Sequence, residues 1–121
     1  MRAFIAVMLS LALWGCGSNA SYKLGQRQWG DVVIEVQSRP APVTVGMNEF
    51  LVIASDTRGR SAHDLLVDLR MNDNEVWRQA IQDGFSGVYR KALAVHSLQD
   101  RLQVKLRRGT EEMEMLFPVA Q

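Results

Sequence analysis

From residue 29 onward the apolar positions recur with a period of two. Val32, Ile34 and Val36 alternate with Val33, Glu35 and Gln37, the pattern of a half-buried strand. Arg39-Pro40-Ala41-Pro42 ends it, because proline lacks the N–H that a ladder requires. Val45-Gly46-Met47-Asn48 leads into a nearly continuous apolar run over 49–55, read as a central strand, and Asp56-Thr57-Arg58-Gly59-Arg60-Ser61 turns the chain. Leu65, Val67, Leu69 and Met71 then alternate with Leu66, Asp68 and Arg70, before a turn at Asn72-Asp73-Asn74. Asp83-Gly84-Phe85-Ser86-Gly87 enters a further strand over 88–95. The cleanest alternation sets Leu102, Val104 and Leu106 against Arg101, Gln103, Lys105 and Arg107. Arg108-Gly109-Thr110 joins it to Met113, Met115, Phe117 and Val119 as a hairpin.

One segment fits two elements. Val76, Trp77, Ala80 and Ile81 suit a short helix capped by Asn74 and stopped by Gly84, yet the neighbouring strands favour an edge strand over 74–83. Six or seven short strands without a long helix predict an all-β chain, a two-layer β-sandwich of about seven strands over 29–121.

The first residues follow another rule. Arg2 is a positive start, and Ala3 to Trp14 is apolar except at Ser10. A membrane-spanning helix needs about 20 such residues; this shorter run suits the core of a signal peptide. Leu13-Trp14-Gly15-Cys16 resembles the bacterial lipobox, an aliphatic residue three before the cysteine and a small one just before it. The resemblance implies cleavage before Cys16, a diacylglyceryl group on its sulfur and acylation (palmitate) of the new amino terminus. Two or more acyl chains, at about 0.8 kcal/mol per buried CH₂, make a stable anchor. Gly17 after the cysteine is similar to the outer-membrane sorting pattern of two-membrane bacteria, which implies a periplasm-facing lipoprotein. Residues 17–28 are polar, with Gly, Ser and Asn, and read as a flexible tether.

Composition narrows the picture further. The chain has 121 residues, room for one domain, and at 47% hydrophobic and 22% charged it is composed like an ordinary globular protein. Losing Arg2 with the leader leaves 13 cationic against 13 acidic residues. Without a basic run beyond Lys105, Arg107 and Arg108, nothing drives binding to nucleic acid. The single cysteine excludes an internal disulfide, so apolar burial must hold the fold.

Candidate chemistry is sparse. Thioethers and imidazoles suit copper, and the chain offers Met47, Met71, Met113, Met115, His63 and His96. Met113 and Met115 share a face with Phe117 and Val119, so both are expected in the core, and Met71 likewise closes an apolar face. Asp64 and Asp68 share a polar face without a third ligand. No nucleophile elbow or phosphate loop is present, so no catalytic residues are assigned and an enzyme is not expected. Trp29, Trp77 and Phe85 are the candidates for meeting a partner, large aromatics near a sheet edge or in a turn.

The order of these features resembles a family. A strand ending Ser38-Arg39-Pro40-Ala41-Pro42-Val43 leads to Val45-Gly46-Met47-Asn48, a hydrophobic strand, Asp56 and a strand carrying Met71. Gly87-Val88-Tyr89-Arg90-Lys91-Ala92 and a closing hairpin ending Phe117-Pro118-Val119 complete it. Over about residues 30–120 the chain looks like the YtkA-like and FixH-like immunoglobulin-fold domains of bacterial envelope proteins. That resemblance implies an immunoglobulin-like sandwich and a role in copper handling or respiratory oxidase assembly. Where some members carry Met-Pro-x-Met, this chain reads Arg70-Met71-Asn72-Asp73. The leading expectation is a lipid-anchored, non-enzymatic module that binds another envelope protein and has no cofactor. The alternative is a Cu(I) metallochaperone using Met71 with Met47 or His63.

Overall fold

The computed structural model of the chain describes residues 20–120. The leader, Cys16 and the first residues after it lie outside that range. Among the described residues nine strands form two antiparallel sheets: β1 (Tyr22–Trp29), β2 (Val32–Arg39), β3 (Gly46–Asp56), β4 (Leu66–Arg70), β5 (Arg78–Gln79), β6 (Ile81–Gln82), β7 (Val88–Val95), β8 (Arg101–Arg108) and β9 (Glu111–Pro118). One sheet runs β1-β2-β3-β7-β6 and the other β5-β4-β8-β9. Leaving β1 aside, four strands face four in a two-layer β-sandwich.

Alternation builds the core as the residue pattern requires. Ile34 and Val36 of β2, with Phe50 and Val52 of β3, meet Val67 and Leu69 of β4 and Leu102, Val104 and Leu106 of β8, all buried. Each such side chain contributes about 1.5–3 kcal/mol on leaving water. Tyr89 anchors the upper part: its hydroxyl accepts from the Leu65 N–H (3.2 Å) and donates to the Ala62 carbonyl (3.1 Å). Burial pushes its phenol pKa up.

The two ends differ in their connections. The β1–β2, β3–β4, β6–β7 and β8–β9 connections lie at one end, here the upper end. The β2–β3, β4–β5 and β7–β8 connections lie at the lower end, together with the start of β1 and the end of β9.

Four expectations need correction. The segment read as tether folds from Tyr22 onward as β1, paired to β2 along its length with a register shift between Lys23 and Gly25. Its outer residues are polar and only Leu24 is fully buried, so backbone pairing rather than apolar period makes this strand. Gly25 marks a close approach and not flexibility: a Cβ there would lie 3.0 Å from the Phe117 ring. The 74–83 segment is extended but belongs to no single strand. β5 sits on one sheet and β6 on the other, with the buried Ala80 between them donating its N–H to the Val67 carbonyl (2.8 Å).

Met113 is 39% exposed, and only Met115, Phe117 and Val119 of its face reach the core. β9 is an edge strand, and β1 covers it at Gly25–Phe117 rather than along its full length. Asp68 is buried on the outer face, under an ion pair to Arg107 at 2.9 Å, and does not share an open polar face with Asp64.

Candidate functional site

The β6–β7 turn at the upper end runs Asp83-Gly84-Phe85-Ser86-Gly87, and it is closed by its own backbone. The Asp83 N–H donates to the Val88 carbonyl (2.9 Å) and the Ser86 N–H to the Asp83 carbonyl (3.1 Å). The Gly87 carbonyl accepts from the Ala54 N–H at 2.8 Å, tying the turn to β3. Gln82 adds two more links: its Oε1 accepts from the Gly87 N–H (3.1 Å) and its Nε2 donates to the His63 carbonyl (3.0 Å). Asp83 and Arg90 form a direct ion pair across the hairpin, and this bond holds the Arg90 guanidinium above its ordinary pKa.

Glycine is demanded at one end of this turn. Gly87 has φ 75°, and a Cβ there would stand 2.5 Å from the Ala54 carbonyl oxygen, so no larger residue fits without moving β3. Gly84, at φ 56°, has open space around it and needs glycine only for its backbone angle.

The result is a rigid bend that leaves Phe85 82% exposed. Its ring meets His63 edge to face at 5.7 Å, from the connection between β3 and β4. A large aromatic held this way has already lost the backbone freedom that binding would otherwise remove. That is the physical profile of an anchor residue at an interface.

The other aromatic candidates sit differently. Trp77 meets two cations, with the Arg70 guanidinium 4.1 Å and the Lys105 ammonium 4.4 Å from its ring centroid. It rivets the β4–β5 connection to the outer face of the four-stranded sheet, and such contacts contribute about 0.5–1 kcal/mol each. Trp29 is half-buried against the core at the upper end. Of the three, Phe85 is the most exposed.

The metal candidates are not brought together. Met71 is 1% exposed inside the core at the lower end of β4. Met47 is exposed at the start of β3 and pairs with Ala94, whereas His63 follows the far end of that strand. Strand rise puts Met47 and His63 on the order of 25 Å apart. Met47 instead lines a cleft of about 390 Å³ with Glu75, Arg78, Lys91 and His96, in which Glu75 is bonded to the Met71 N–H (3.1 Å) and the Asn72 amide (3.3 Å). Among the described residues no three of His, Cys, Asp and Glu converge as metal ligands.

Sequence reasoning named Phe85 and His63 separately and missed that they touch. The glycines flanking the turn signalled its shape, but nothing in the spacing placed residue 63 beside residue 85. The fold and this tip define an antiparallel β-sandwich carrying one preorganised aromatic turn. No family model, no curated protein and no solved structure matches the chain.

Proposed function

We propose that this chain is a lipid-anchored, non-enzymatic binding module of the bacterial envelope, held by acyl chains on Cys16 and meeting a protein partner through Phe85 and His63. The carrying observation is the fixed, exposed Phe85 in a turn closed by bonds to both neighbouring strands. The chain enters the described domain at the lower end, so an anchor on Cys16 leaves the Phe85 end turned away from the membrane. Among the other polar groups, Asp56, Asp68 and Tyr89 are each committed to bonds within the fold, which supports binding over catalysis. The assembly role implied by the family resemblance would place the partner among respiratory or metal-cofactor assembly proteins.

Two measurements test this. Cys16→Ala should move the protein from the membrane to the soluble fraction; retention on membranes counts against the anchor. A photo-crosslinking phenylalanine analogue at position 85, in cells, should give one or a few discrete protein adducts that the same analogue at Thr57 does not. Adducts identical at both positions would remove the case for the Phe85 tip.

A further inference from the structure

We infer that the lower end of the sandwich rests on the lipid bilayer that carries the anchor, inserting the side chains of its connecting loops among the headgroups. This inference rests on the lipid anchor at Cys16 proposed above. It goes beyond it in assigning a second, noncovalent membrane contact to the folded domain.

Chain length sets the geometry. Because β1 begins at Tyr22, only residues 16–21 separate the anchor from the sheet, a reach of about 20 Å at full extension. That is roughly half what a tether continuing to residue 28 would allow. β1 starts at the lower end, so this is the end held against the bilayer.

This end also gathers four uncovered apolar side chains, where the upper end presents Phe85 and the strands between carry Leu66, Ile81, Met113 and Leu116. Val45 and Met47 are each 63% exposed, Val76 is 70% exposed and Leu98 is also exposed; Val45, Val76 and Leu98 come one from each of the three lower connections, and Met47 from the adjoining start of β3. The first of these loops is built to keep them out. The buried Asn48 side chain accepts from the Thr44 N–H (3.1 Å) and donates to the carbonyls of Thr44 (2.6 Å) and Gly46 (3.0 Å). With that amide bonded on three sides, Val45 and Met47 cannot fold inward without breaking a buried network.

Charge around the tip is arranged for a headgroup layer. Its acids are occupied within the domain: Glu75 accepts from the Met71 N–H, Asp73 from Gln103 and Asp100 from the Ser97 N–H. Arg78 and Arg101, near the lower ends of β5 and β8, have no ion-pair partner among the described residues and are exposed. Apolar loop residues flanked by two unpaired arginines fit an interface of acyl chain and anionic phosphate.

The test uses the full-length protein, lipidated in a bacterial host and reconstituted into phosphatidylethanolamine–phosphatidylglycerol vesicles. Mass analysis of the Cys16 peptide first reports the anchor. A thioether-linked Cys16 is unreactive, so Val45→Cys and Thr57→Cys each add one labelling site, at the lower and upper ends, for an environment-sensitive fluorophore. Spin-labelled headgroups should quench the position-45 probe roughly three-fold or more above the position-57 probe, with the difference shrinking when phosphatidylglycerol is replaced by a zwitterionic lipid. Equal quenching on a lipidated protein overturns the inference and leaves the anchor standing. Shielding of the position-45 probe that follows protein density instead of lipid label would mean a second copy covers the tip, which also overturns it. A Cys16 peptide without lipid removes the anchor and this inference together.

Discussion

Trp77 and Phe85 stand in one short stretch of chain and meet opposite fates. Trp77 meets both Arg70 and Lys105 on the outside of a sheet, so its ring helps to hold the β4–β5 connection. Phe85 is supported from beneath by its turn and touched from the side by His63, while most of its surface stays open. The difference lies in what the backbone does. After Trp77 the chain is drawn across the sandwich edge through Ala80, whereas at Phe85 it is bent outward by a closed hairpin turn. An aromatic residue therefore becomes structural or available according to the bonds of its neighbours, not its own hydrophobicity.

The largest expected effect comes from breaking the turn itself. Gly87→Ala should destabilise the domain by on the order of 3 kcal/mol, from a Cβ against the Ala54 carbonyl and a left-handed backbone angle. Gly84→Ala, with the angle but without the clash, should cost about 1 kcal/mol. Urea unfolding of the two variants compares them directly, and equal costs would deny that the turn is packed against β3.

Next comes the clamp. Trp77→Ala removes two cation–ring contacts and the area they cover, for a loss of about 2 kcal/mol, readable as a fall of several degrees in Tm. Phe85→Ala should change stability by less than about 0.5 kcal/mol, because an exposed ring gives up little on truncation. If Phe85→Ala proved as costly as Trp77→Ala, the contrast between them would collapse.

The smallest effect is expected in acid. The Asp56 carboxylate accepts from the N–H groups of Arg60 and Arg58 and from the Arg60 side chain, and the Arg60 backbone bond is the main reason its pKa lies below the ordinary 3.8. The folded state thus holds that proton less tightly than the unfolded one. The resulting stability is complete above about pH 4 and is lost as the pH falls through the lowered folded-state value. Asp56→Asn should flatten this part of the acid unfolding profile, and an unchanged profile would show the cap to be energetically silent.

Where one face of a strand is buried, the residue pattern was enough. β2, β4 and β8 alternate inward and outward as their sequences predict, and Met71 goes into the core with Leu69 and Val67. Legibility failed where backbone pairing or a single close contact decides. β1 carries one fully buried residue, so no apolar period announced it, and Gly25 looked like part of a tether when it is a point of contact with Phe117. Met113 kept the parity of a core residue but lies where the facing sheet gives less cover. At the site, the glycines foretold the turn, but the meeting of Phe85 with His63 depends on long-range bonds that fix the β3–β4 connection, among them the one from Gln82 to the His63 carbonyl.

The claim on which the rest turns is that Phe85 is presented by a fixed turn and not by a mobile loop. Native-state amide hydrogen exchange measures this at single residues. The Ala54, Asp83, Ser86 and Gly87 amides, each bonded within or to the turn, should exchange as slowly as those of mid-β7 to within about tenfold. Exchange of Asp83, Ser86 and Gly87 at the rate of an unstructured peptide, with β7 still protected, would contradict it.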